Sequence, residues 1–256
     1  GVLSVMEGVD QEAVNTFQET LDFSVVGLDP VYGVYLMMLT YFGALAALWI
    51  GLHWLHDRSI WSLTGDRSIP LLKTVLWALG IWLLLSLAVE SVLYLIEPEN
   101  YKYIGMNGRW WSMIVLALVF IPVQTTFEEL FFRGYLLQGI GHAFNNPWIG
   151  AVLSSVLFAV MHSFNPEIDQ FGYWTMMGYY FIAGLFLAIL TIYSNSLALA
   201  IGVHAGTNIF SALIAGYEGG VFKLPTLFRV MDVHVPTMVL SLVLMAAIFI
   251  FIARDR

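Results

Sequence analysis

"IPLLKTVLWALGIWLLLSLAVESVLYLI", residues 69–96, holds only two charged side chains, Lys73 and Glu90. A run this long and this apolar exceeds the ~20 residues that a helix needs to cross a ~30 Å hydrocarbon core. Six more runs of the same character follow the chain at roughly 33–55, 110–127, 148–163, 173–193, 196–216 and 235–253. Lipid offers backbone groups no water, so only helices and closed barrels span it. The ten-residue alternation of a barrel is missing. The sequence therefore predicts an all-α fold, a polytopic transmembrane helix bundle of about seven spans.

Composition agrees. Hydrophobic residues make up 59% of the 256 positions and charged ones 11%, and the mean hydropathy of +0.80 lies outside the range of soluble domains. The lipid bilayer is the first expected partner. The absence of cysteine removes a disulfide framework, a thiol nucleophile and a thiolate metal site. Much of the net charge of −8 comes from Glu7, Asp10, Glu12, Glu19, Asp22 and Asp29. No basic cluster exists to neutralise phosphates, so nucleic acid is not an expected partner.

The chain reads as an acidic N-terminal segment, 1–30, followed by one membrane domain, 31–256, without internal repeats or domain linkers. The segments 1–30, 56–70 and 217–234 read as the longest soluble loops. Residues 97–110 form a turn-rich connection, with Trp110 and Trp111 as an interfacial anchor. Arg58, Arg67 and Lys73 between the first two runs, with Arg254 and Arg256 at the end, favour an N-terminus outside and a cytoplasmic C-terminus. Lys102, Arg109, Lys223 and Arg229 then fall outside. Short loops and a compact chain suggest a bacterial inner membrane; the oligomeric state is left open.

Charges inside apolar runs are costly, ~2.5 kcal/mol or more each at a bilayer centre, and mark protein interiors or water-filled cavities. In "TTFEELFFRGYLLQ", residues 125–138, Glu129 and Arg133 stand four apart, in the favourable order for a helical ion pair. Glu128 is turned ~100° away and has no such partner, which suits a general base. A cluster that only ties helices together remains the alternative. Farther on, Phe158 and His162 share a helix face, as do His204 and Asn208 among the small residues Gly202, Ala205 and Gly206. A His and an Asn on one face can donate to a single oxygen, as an oxyanion site requires.

"EELFFR", "FAVMH" and "HAGTN" fit E-E-x-x-x-R, F-x-x-x-H and H-x-x-x-N, in that order on successive apolar helices. This resembles the CAAX-processing and bacteriocin-processing intramembrane protease family, which includes the Rce1-type endoproteases, over a core of about 110–216. The resemblance implies a peptidase in which Glu128 activates water, His162 helps to orient it, and His204 and Asn208 stabilise the oxyanion. Glu129 and Arg133 fill the remaining motif positions and would support the site structurally. A peptide or membrane-protein substrate follows, prenylated or not. No cofactor is favoured. Zinc held by Glu128, His162 and His204 is the alternative, although H-E-x-x-H is absent.

Two other functions compete: a non-catalytic family member that acts as a partner-binding or immunity protein, and a proton-coupled transporter. The second would call for inverted repeats or broken helices, and none is visible. Glu90 reads as a helix-end carboxylate reaching the interface, and His53, His56, His142 and His234 as interfacial or loop residues. One geometric demand remains. Straight antiparallel helices entering at Trp110 and Trp148 would leave Glu128 and His162 at different depths, so a kink at Pro122, tilt or an interfacial stretch over 134–147 must level them.

Overall fold

The structure, a computed structural model, describes residues 11–20, 22–217, 220 and 225–254. Glu7, Asp10, Lys223 and Arg256, used in the charge reading, lie outside the described residues. Helix α1 (Gln11–Thr20) leads into α2 (Pro30–His56), α3 (Leu71–Ile96) and the long α4 (Gly108–Ala143). Then follow α5 (Pro147–Met161), the short α6 (Glu167–Phe171), α7 (Tyr173–Ser194), α8 (Ala198–Leu213) and α9 (Val235–Ala253). Each of the seven apolar runs is a helix. Five of them, α2, α3, α4, α7 and α9, are long and apolar enough to cross a membrane. Helices α5 and α8 rise only about 22 and 24 Å at 1.5 Å per residue, short of a full hydrocarbon core.

Local chemistry sets the helix ends. Asp29 caps α2 through Val31 N at 2.9 Å, with Pro30 at a position where a missing N–H costs nothing. Asn107 caps α4 through Trp110 N, and Asn146 caps α5 through Trp148 N at 2.9 Å with Pro147 behind it. The acidic segment is therefore not all loop. It contains α1 and a 3-10 turn at Phe23–Val26, and Asp29 pairs with Arg109 at 2.9 Å.

Helix α8 is buried along most of its length and packs against α3, α4 and α7. Trp82, Phe186, Leu190, Leu199, Val203 and Phe249 make the core beside it. A second core, Val34, Met38, Met113, Ala117 and Ile121, joins α2 to the first half of α4. The wide apolar exposure of α2, α3 and α9 elsewhere is what lipid would cover.

Several sequence expectations change here. The helix continues past Pro122, which a π-helical stretch, Leu116–Phe120, precedes. Widening a turn just before a proline gives the ladder a way around the missing N–H. Residues 134–143 continue α4, through a second π-helical stretch, Leu130–Leu137. The connections 97–110 and 217–234 are not plain loops either. Tyr101–Tyr103, Ala215–Tyr217 and Phe228–Val230 (β1, β2, β3) form a small sheet of order β1-β3-β2, antiparallel on one side and parallel on the other. Trp110, expected at the interface, is instead buried and donates Nε1–H to the Leu213 carbonyl, whereas Trp111 stays exposed.

The depth problem resolves through the α4–α5 hairpin. The chain turns at Asn145, in the left-handed region at φ 49°, and α5 runs back along the second half of α4. Gly150 sits against the Leu137 carbonyl and the Gly141 backbone, where any side chain would clash. Glu128 lies 17 residues before Asn145 and His162 17 residues after it. Equal arms of one antiparallel hairpin bring the two level.

Candidate active site

Glu129 and Arg133 face away from the cavity, both with fully buried side chains. Arg133 donates from Nη1 to Glu129 Oε1 at 2.8 Å and from Nη2 to the Gly184 carbonyl of α7 at 2.9 Å. Gly184 leaves room for α5, whose Ser155 and Phe158 lie against it. The guanidinium also lies 4.6 Å over the Phe158 ring, a favourable place for a cation. Glu129 Oε1 takes a second bond from His204 Nδ1 at 2.7 Å. One carboxylate thus locks α4, α7 and α8 together.

Its neighbour faces a cavity of about 1470 Å³ lined by Glu128, His162, His204 and Asn208 among others. Glu128 is only 6% exposed. Expected to lack a partner, it has one: Gln124 Nε2 donates to Glu128 Oε1 at 3.1 Å, and Tyr41 of α2 approaches both side chains. His204 Nε2 stands 3.7 Å from Glu128 Oε2. Asn208 Nδ2 donates to Gln124 Oε1 at 3.4 Å. Among the described residues, Glu128 Oε2, Glu129 Oε2 and Arg133 Nε have no hydrogen-bond partner.

The fourth group enters from the end of α5. His162 Nδ1 lies 2.7 Å from the Phe158 carbonyl. A carbonyl can only accept, so Nδ1 carries the proton and Nε2 keeps its lone pair. The ring stacks on Tyr180 at 4.3 Å and packs against Phe158 at 4.5 Å. The same tautomer logic alters the expected role of His204. With Nδ1–H given to Glu129, a neutral His204 presents a lone pair at Nε2, and only the protonated ring offers a second donor there. Asn208 is the amide that donates in either state.

The structure thus brings all six candidates into one neighbourhood and divides them, four on the cavity wall and two behind it. Sequence reasoning missed Gln124, although a glutamine four residues before Glu128 in an apolar run was a readable signal. It also missed Tyr41, which lies on another helix and carries no local signal. Glu90 does not simply reach the interface: it lines the cavity and accepts from Tyr101 at 2.7 Å. Burial, then the bond to Glu90, pushes the Tyr101 phenol upward in pKa, so it stays a donor. His53, His56, His142 and His234 are exposed, as expected. Among the described residues no three His, Asp or Glu side chains converge as a metal-holding group. No step below is routed through a metal.

Comparison with known proteins bears on the same segment. Residues 108–210 match the family model described as type II CAAX prenyl endopeptidase Rce1-like. The chain is also 29% identical over 212 residues to the Bacillus subtilis (strain 168) "Uncharacterized protein YyaK", covering 82% of this chain and 70% of that one. No solved structure matches. The matched segment runs from the start of α4 almost to the end of α8 and contains all six candidates. The protein is an integral membrane protein whose residues 108–210 are similar to the Rce1-like family.

Proposed function

We propose that this protein is an intramembrane endopeptidase that hydrolyses a peptide bond with water activated by Glu128. One observation carries the reading: four polar groups from three helices, Glu128, His162, His204 and Asn208, line a single cavity in an otherwise apolar bundle. A lone catalytic carboxylate beside a histidine lone pair suits removal of a proton from water. The water oxygen attacks the scissile carbonyl carbon while its proton passes to Glu128. His162 Nε2 accepts the second O–H and orients the water. The oxyanion receives N–H from Asn208 and from Nε2 of a protonated His204, whose ring two glutamates flank. Collapse breaks the C–N bond, and Glu128 returns the proton to the departing amine.

The substrate is a peptide or membrane protein, and the enzyme sits in a bacterial inner membrane with its C-terminus cytoplasmic. The steps as written call for no metal. The test uses the full chain in phospholipid nanodiscs with a fluorogenic peptide ending in a farnesylated CAAX motif, alongside peptide mapping of host membrane proteins. Glu128→Ala and His162→Ala are expected to abolish cleavage while the protein keeps its fold. Retained turnover in either variant would falsify the mechanism. Glu128→Gln should trap substrate for identification by mass spectrometry. The chain has no cysteine, so single cysteines placed at Arg58 and Arg254 report sidedness by labelling in intact cells.

A further inference from the structure

The geometry points to Gln124 as a positioning residue that lets the charge of Glu128 decide which end of the Asn208 amide faces it. This inference rests on the proposed reading of Glu128 and Asn208 and adds a residue outside the three motifs. Gln124 lies between them. Its Nε2 is 3.1 Å from Glu128 Oε1 and its Oε1 is 3.4 Å from Asn208 Nδ2.

The polarity of this chain follows from chemistry alone. An ionised carboxylate is acceptor-only, so Gln124 must turn its NH2 toward Glu128. Its carbonyl oxygen then faces Asn208, which must answer with its own NH2. Asn208 carries two protons on that nitrogen. One is held by Gln124, and the other is aimed from a nitrogen whose position is fixed. Reversing either amide would set two acceptors or two donors against each other, so the orientation rests on the network and not on the assignment of atoms at one residue. The donor needed for the oxyanion is thereby fixed by the base that creates it.

Among the described residues, no other side chain hydrogen-bonds to both of these groups. Asn208 sits on α8 and Glu128 on α4, so Gln124 also ties the two helices at the level of the site. Gln124 and Glu128 are four apart on α4, whereas Asn208 is 84 positions from Gln124. Nothing in the sequence joins the second pair.

The experiment compares the full-length protein with Gln124→Met, Gln124→Glu, Asn208→Ala, the double variant Gln124→Met/Asn208→Ala, and Glu128→Ala, using the farnesylated CAAX peptide. Gln124→Met removes both bonds at similar size. Gln124→Glu keeps an acceptor for Asn208 but sets a second carboxylate against Glu128. Each should lower kcat roughly 10- to 100-fold, the usual loss when a supporting residue is removed, with KM moved by less than about threefold. In the Asn208→Ala background, Gln124→Met should cost less than about threefold, because the group it orients is already gone. A merely structural glutamine would lower the thermal midpoint and give additive losses in the cycle. Additivity, or Gln124→Met turnover within about twofold of wild type while Asn208→Ala and Glu128→Ala are impaired, overturns the inference and leaves the mechanism standing. Full turnover in Glu128→Ala overturns both. Should Gln124→Met fail to fold, the nearly isosteric Gln124→Glu decides the matter by the same readings.

Discussion

On its closed side, α4 presents Glu129 and Arg133, fully buried and bonded to α7 and α8. On its cavity side it presents Glu128 and Gln124, partly shielded and bonded mainly to each other. The two glutamates are adjacent in sequence and identical in chemistry. Their surroundings separate them: a buried charge whose partner is a fixed guanidinium holds helices in register, and a carboxylate whose second oxygen faces a cavity is available to a reactant. Two neighbouring residues on one helix can therefore divide support from chemistry, because each turn of ~100° changes what a side chain meets.

Four experiments press on that division. The largest effect is expected from Glu128→Ala, which should lower turnover more than about 10³-fold, on the scale seen when a reacting group is lost, while the melting midpoint in nanodiscs stays close to wild type. Arg133→Met comes next. It removes the fixed cation beside Glu129, leaving only the His204 bond, and should cost about 3–5 kcal/mol, seen as a large fall in melting midpoint with loss of folded protein; an unmoved midpoint would mean the closed side is not structural. Gly150→Leu should then cost about 1–3 kcal/mol, because its side chain runs into the Leu137 carbonyl. It should also lower activity by shifting His162 relative to Glu128, and normal activity with lowered stability would show that the hairpin does not set their level. Trp82→Phe is the mildest, removing the Nε1 bond to Thr207 at 2.8 Å for about 0.5–1.5 kcal/mol, with little change in kcat. As a control on the chemistry, a chelator should leave turnover unchanged, and restoration by added zinc after such treatment would reverse the metal-free reading.

Much of this was readable along the chain. Helices α2, α3, α7 and α9 follow from apolar runs long enough to span lipid, and the Glu129–Arg133 bond from i,i+4 spacing. The same spacing rule contained Gln124, four residues before Glu128, and the sequence reading passed it by. Other features were out of reach. The π-helical stretches depend on how α4 packs around Pro122 and against α5. The small sheet joins segments more than 100 residues apart, each only three residues long, too short to show a period. The burial of Trp110 depends on the end of α8.

The sequence by itself determined the membrane-spanning helices, the order of the three motifs and the identity of the six polar candidates, because periodicity and charge cost act locally. Tertiary structure alone decided that Asn208 reaches Gln124, that His204 stands between two glutamates, and that Glu128 and His162 meet at one depth. Those facts depend on distances between helices, and helix spacing, hairpin register and side-chain direction are set by packing.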